Sequence, residues 1–213
     1  MKRIARCLVL SIFVWCSIAS TQESTKRVPL PKPDTTGGKP LMQVLKDRHS
    51  TRSFAERELP DQVLSNLLWA AFGVNRPDGR RTAPSGRNWQ EIDLYLCTAD
   101  GLFLYNASDH SLLALSRSDI RSNTGVQEFV ATAPLNIVYV ADGNKISAQL
   151  GDDAALYMGA DCGVIVQNVY LFCASEGLGT VVRAMVDRTT LGAALKLRPG
   201  QRIVLAQTIG YPK

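Results

Sequence analysis

Arg48-His49-Ser50-Thr51-Arg52 sets two guanidiniums four residues apart with two hydroxyls between them. Such a group can grip a phosphate through charge-assisted, bidentate hydrogen bonds, because the arginine fork matches the oxygens of the anion. Taken alone, the pentapeptide reads first as a solvated basic turn, since most surface arginines bind nothing. A second stretch, Pro84-Ser85-Gly86-Arg87-Asn88-Trp89-Gln90, offers hydroxyl and amide groups able to meet the carbonyl and nitrogen edges of a flat heteroaromatic ring. Its ordinary alternative is turn chemistry with an Asn cap. The third, GLGTVVRA at 177–184, shares only two glycines with G-x-G-x-x-G and follows a helical pattern instead of a strand. The dinucleotide fingerprint therefore fails on context.

Metal chemistry has little to work with. His49 and His110 are the only histidines, and the five cysteines form no C-x-x-C pair. Zinc ribbons, haem attachment and dithiol redox motifs drop out, and no metal site is expected. A length of 213 residues with 46% hydrophobic and 20% charged side chains suits one mid-sized globular domain.

The net charge of +5 is unevenly spread. Lys2, Arg3 and Arg6 precede an apolar run at 7–18 that is short for a bilayer span, and Ser17 and Ala19 give a small-residue exit. Residues 1–19 read as a signal peptide, which implies export to the periplasm or beyond; an uncleaved N-terminal membrane anchor is the alternative. Cleavage removes three positive charges and no negative ones, leaving +2. With it goes most of the case for nucleic acid, since Arg76, Arg80, Arg81 and Arg87 near Trp89 come without regularly spaced aromatics. No stable membrane insertion is expected after cleavage. Cys97, Cys162 and Cys173 remain, and the last two lie three turns apart on one predicted helix, too far to bond each other. Buried thiols acting as small apolar groups are expected.

The elements that must position these stretches follow from periodicity and punctuation. Residues 20–40, rich in Pro, Thr, Lys and Gly, read as a flexible leader arm, and 41–213 as the folded domain. Leu41, Val44 and Leu45 mark a short helix that delivers the Arg48–Arg52 turn. A second helix is predicted over 61–72, capped by Asp61 after Pro60 and ended by Gly73. Residues 74–90 read as a long irregular loop, 92–97 as an alternating strand, and 102–105 with 112–115 as a hairpin. A helix is expected over 125–131, stopped by Pro134, and a central strand over 135–140. The segment 152–175 is apolar on nearly every face, which fits a central helix or one packed on a partner chain. Extended chain at 180–182, an Asp187-capped helix to 195 and a strand at 203–209 complete the order. Without regular βαβ alternation, the fold class is α+β, helices around a small, mostly antiparallel sheet.

RHSTRSF at 48–54, TAPSGRNWQ at 82–90, Gln167-Asn168 and Leu171 on the long helix, GLGT at 177–180 and the ending Ile209-Gly210-Tyr211-Pro212 occur in that order. Together they resemble the FMN-dependent nitroreductase family over residues 41–211, in an exported form with a short C-terminus. The resemblance implies a homodimer with FMN at the subunit interface and long helices packed across the twofold axis. On its pattern Arg48, Ser50 and Arg52 would hold the FMN phosphate and ribityl chain, with His49 contributing mainly backbone. Pro84, Ser85, Asn88 and Gln90 would line the isoalloxazine, usually from the partner subunit, and Gln127 its pyrimidine side. Val182, Arg183 and Ala184 would pass the flavin edge with backbone N–H groups facing N5 and O4. Charge developing near N1 and O2 would be met by Arg183 or Arg87.

The chemistry so implied is a ping-pong hydride transfer from NADH or NADPH through flavin N5 to a small acceptor, such as a nitroaromatic, quinone, enone or halogenated aromatic. No protein side chain need be catalytic. Three departures from the pattern stand out. Lys213 follows Pro212 directly, where a basic residue further on often reaches the phosphate, so Arg80 or Arg81 would assist Arg48 and Arg52. Glu91 stands where Pro often follows the Gln. An exported leader also sits oddly with a cytoplasmic donor. The rival readings are a flavin-dependent oxidase or dehydrogenase of a peptide or small metabolite, and a non-catalytic exported binding module.

Overall fold

Seven strands build one sheet: β1 (Lys26–Pro29), β2 (Ile92–Thr98), β3 (Gly101–Asn106), β4 (Ser111–Ser116), β5 (Leu135–Asp142), β6 (Gly179–Arg183) and β7 (Gln201–Gly210). A computed structural model describes residues 26–151 and 153–213, and the leader read over 1–19 lies outside the described residues. The strand order is β1-β4-β3-β2-β5-β7-β6, every pairing is antiparallel, and β6 is an outer strand. Helices α2 (Asp61–Phe72) and α3 (Asp153–Glu176) cover one face, with α1 (Leu41–Asp47) against α3. Helix α4 (Arg188–Ala194) packs on the other face.

Covering both faces decides the strand pattern. Ile92, Leu94 and Leu96 of β2, with Leu135, Ile137 and Tyr139 of β5, join the core under α2 and α3. Their alternates, Tyr95, Cys97, Val138 and Val140, pack with Leu191 and Leu195 at α4. A strand buried on both sides carries an unbroken apolar run, so β2 is only nominally alternating. Each fully buried Leu or Ile contributes about 1.5–3 kcal/mol relative to exposure. Cys97, Cys162 and Cys173 are free thiols inside this packing.

Helix α2 has the predicted bounds, but its cap does not. Asp61 is the first helical residue, Pro60 holds the cap position, and no side chain caps it. By contrast Asp187 accepts from the N–H groups of Thr189 and Thr190 and caps α4. The helix expected over 125–131 shrinks to a 3₁₀ turn at Glu128–Ala131, preceded by another at Arg121–Thr124. Gly125, extended between them, lies against the Arg183 guanidinium, where a Cβ would stand 2.0 Å from Nη1. Tertiary contact, not local pattern, breaks the helix there.

The flexible arm expected over 20–40 does not describe residues 26–40. Lys26–Pro29 pairs with β4, and Pro29, which lacks an N–H, is tolerated because β1 is an edge strand. Beyond it the chain straps α2. Ser65 donates to the Pro31 carbonyl, Gln62 Nε2 to the Lys32 carbonyl at 3.0 Å, and the Asp34 N–H to Asn66 Oδ1 at 2.9 Å. The Lys39 N–H reaches Ser175 Oγ at 2.9 Å. A Pro-rich segment without apolar period can still be held when another helix satisfies its main chain.

Candidate functional site

Helix α1 ends where Arg48 donates its N–H to the Val44 carbonyl at 2.9 Å, and the chain then turns along β6. The Thr51 N–H bonds the Thr180 carbonyl at 2.9 Å. Two glycines permit this approach. Gly177, at φ +70°, closes α3 in a left-handed turn in which the Leu178 N–H returns to the Cys173 carbonyl at 2.8 Å. A Cβ on Gly179 would lie 2.8 Å from Thr51 Cβ, so only glycine admits the turn at that contact.

Tyr170 of α3 joins the two pieces. Its hydroxyl lies 2.9 Å from Ser50 Oγ, accepts the Val182 N–H at 3.0 Å, and its ring lies under the Arg48 guanidinium at 5.3 Å. Arg48 is half-buried and Arg52 exposed, and among the described residues neither is in an ion pair. His49 is exposed, its Nδ1 2.7 Å from the Asp47 carbonyl. The C-terminal segment runs beside this turn, with the Lys213 N–H on the Ser53 carbonyl at 3.2 Å. Tyr170 and Lys213 are additions to the residues expected from sequence. The signal for Tyr170 is a phenol that follows the Gln167-Asn168 pair on a helix that is otherwise mostly apolar.

Two expectations along β6 need correction. The Val182 N–H is engaged by Tyr170 and is not free to meet a ligand. Arg183 is 5% exposed, and its guanidinium turns inward, donating to Thr208 Oγ1 at 3.1 Å, Asn136 Oδ1 at 3.0 Å and the Thr124 carbonyl. Every acceptor is neutral, and burial brings its pKa down to about 10. Side chains alternate along a strand, so once Val182 faces α3, Arg183 must enter the opposite layer. Gln127 lies close by, with a buried Oε1 that has no hydrogen-bond partner among the described residues. Ala184 is exposed, as is the following Met185, at 65%.

The 84–90 loop is held elsewhere. Gly86 donates its N–H to Asp161 Oδ2 at 2.7 Å, and Trp89 packs edge-on against Tyr157 with centroids 5.4 Å apart. Ser85 Oγ accepts the Gln90 N–H at 3.0 Å. Gln90 is spent inside the loop, accepting from Arg81 Nε at 2.8 Å and donating to Asn88 Oδ1 at 3.0 Å and the Gly79 carbonyl at 3.1 Å. It therefore braces the loop instead of lining a ligand. Pro84 and Asn88 are exposed, and Arg87 lies over Trp89 at 5.9 Å. Arg80 pairs with Asp78 and Arg81 reaches the Phe72 carbonyl, so both stay with this loop.

Arg48, Ser50 and Val182 thus meet at Tyr170, while Ser85 and Asn88 sit near Tyr157. Thirteen residues of helix separate these tyrosines, about 20 Å at 1.5 Å per residue. One chain does not bring the two groups together. What it presents is a shelf with two uncompensated guanidiniums, a hydroxyl pair and a sheet edge.

The candidate site is thus a cationic turn seated on the edge strand of an all-antiparallel sheet that a long apolar helix clasps. The profile of the Nitroreductase family matches residues 45–211, and the chain belongs to that family. The nitroreductase-family protein MJ1384 of Methanocaldococcus jannaschii is 30% identical over 151 residues, spanning 66% of this chain and 76% of that protein. A nitroreductase-family structure from Ralstonia eutropha JMP134 is 41% identical with a TM-score of 0.84, covering 88% of this chain and 90% of that one. One from Desulfovibrio desulfuricans, solved in complex with FMN, shares the fold at 22% identity and a TM-score of 0.61, over 82% of this chain and 87% of its own.

Proposed function

We propose that this chain is an FMN-dependent oxidoreductase that works as a homodimer and passes hydride from NADH or NADPH to a small acceptor such as a nitroaromatic or quinone. The observation that carries the reading is the Tyr170 hydroxyl set between Ser50 and Val182, with Arg48 over its ring and, four residues on, an exposed Arg52 in no ion pair among the described residues. Two cations without carboxylate partners favour a phosphate-bearing ligand. When bound, FMN supplies a ring position that takes up a hydride and gives it away.

The residues of this chain bind and orient. Arg48 and Arg52 would hold the phosphate, and Ser50, fixed by Tyr170, the ribityl chain. Ala184 would offer its main chain at the ring edge. Arg183 keeps a buried positive charge under β6 without a counter-ion, which suits an anion forming nearby. Ser85 and Asn88 would come from a second copy. Supporting that arrangement, Leu41 and Met42 of α1 and Leu156 and Val164 of α3 are exposed at 62%, 76%, 71% and 38%. Gly159 and Gly163, with open space around them, would let a second α3 approach closely. We assign the protein to the periplasm or exterior on its leader.

Reconstitution with FMN followed by anaerobic titration with NADH and NADPH tests the reading. Flavin absorbance that co-elutes with a dimer and bleaches on titration is the expected result. A colourless monomer after reconstitution would remove it.

A further inference from the structure

Beneath the 84–90 loop lie two carboxyls that the proposed chemistry leaves unused. Glu91 is 0% exposed, and neither carboxyl oxygen has a hydrogen-bond partner among the described residues. Asp161 of α3, 8% exposed, stands beside it and accepts the Gly86 N–H at 2.7 Å. That bond is the loop's polar tie to α3.

The loop itself is not relaxed. Arg87, Asn88 and Gln90 have φ of 47°, 59° and 49°, in the left-handed region. Three side-chain-bearing residues persist there only where the surroundings over-determine them. Those surroundings are the Asp161 bond, the Ser85 and Gln90 side chains, and Trp89 against Tyr157.

Two adjacent buried carboxyls cannot both ionise cheaply. Burial first, and the Asp161 charge next, push the Glu91 carboxyl up to about 7. The other titratable groups facing it are Cys162 of α3 and Lys145 of the turn after β5. Burial pushes the Cys162 thiol up to about 12, so it stays neutral, and the Lys145 ammonium is taken by Asp93 at 2.8 Å.

We propose that Glu91 is a positioning residue for the loop: protonated, it leaves Asp161 anchored to Gly86, and once its proton passes to solvent, repulsion between the two carboxylates draws Asp161 away and frees Ser85, Asn88 and Trp89. The effect on the loop is independent of the functional reading above. Its effect on ligand binding rests on that reading.

Trp89 reports the loop directly. Tryptophan emission of the full chain without FMN, between about pH 5.5 and about pH 9 and corrected with a Trp89→Phe variant, should titrate near neutrality. Glu91→Gln keeps the shape and a donor facing Asp161, and should abolish the transition. Asp161→Asn keeps an acceptor for Gly86 but removes the repelling charge, and should likewise abolish the transition. FMN affinity should fall roughly tenfold across the transition in the unaltered protein and stay level in Glu91→Gln. A Trp89 signal that does not change with pH, or that titrates alike in Glu91→Gln, overturns the proposal. Failure of FMN to bind at every pH would count against the flavin reading alone, because the Trp89 signal decides this one.

Discussion

Val182 gives its main-chain N–H to the Tyr170 hydroxyl at 3.0 Å, so the outer strand of the sheet is tied to the central helix by one side chain. The same oxygen lies 2.9 Å from Ser50 Oγ, which makes Tyr170 the joint between β6 and the cationic turn. Tyr170→Phe keeps the ring under Arg48 but leaves the Val182 N–H without its partner. A loss of about 1–2 kcal/mol in stability is expected, with FMN bound several-fold more weakly. Thermal unfolding and a fluorescence titration with FMN check the two effects separately.

Replacing Arg48 and Arg52 with Ala together should weaken FMN binding by about 3 kcal/mol, the scale of charge-assisted hydrogen bonds. The loss should shrink as salt is added, since Arg52 is exposed. Unchanged FMN retention in a folded double variant would overturn the phosphate assignment.

Gly125 and Arg183 should be coupled. A Cβ at 125 would meet Arg183 Nη1 at 2.0 Å, so Gly125→Ala pushes the guanidinium off Asn136, Thr208 and Thr124. Arg183→Ala alone should cost about 2–4 kcal/mol, because buried acceptors lose their donor. With the guanidinium gone, Gly125→Ala should cost much less. A double-mutant cycle by denaturant unfolding measures the coupling, and strict additivity would contradict it.

Stability should depend on pH through Glu91. Its folded-state value, about 7, lies above the ordinary 4.5, so the folded protein holds a proton that the unfolded chain has lost across that window. Stability from this group therefore falls as pH rises from about 4.5 to about 7 and levels off above. Urea unfolding across this range should show that decline, and the Glu91→Gln difference curve should isolate it.

Much of the architecture was legible along the chain. The apolar period over 61–72 placed α2, the unbroken run at 135–140 marked a central strand, and Asp187 announced α4. GLGT behind a long apolar helix signalled a tight return of the chain, and Gly177 and Gly179 perform it. The site was half legible: Arg48 and Ser50 gather at Tyr170, beside β6, while Gln90 and the Val182 N–H are spent on internal bonds. Residues 26–40 carried no period, and their order comes from pairing with β4 and from hydrogen bonds exchanged with α2 and α3.

By itself, then, the sequence determined most of the helices and strands, though not β1 or the break at Gly125, and which residue types stand at the turns, because hydrophobic period, caps and glycines act over a few residues. Only the tertiary structure decided where each polar group finds its partner: that Arg183 points inward, that Tyr170 bridges Ser50 to Val182, and that Glu91 lies buried beside Asp161. Those outcomes depend on which face of a strand meets which layer and on contacts between residues dozens of positions apart, and burial is a property of the packed whole.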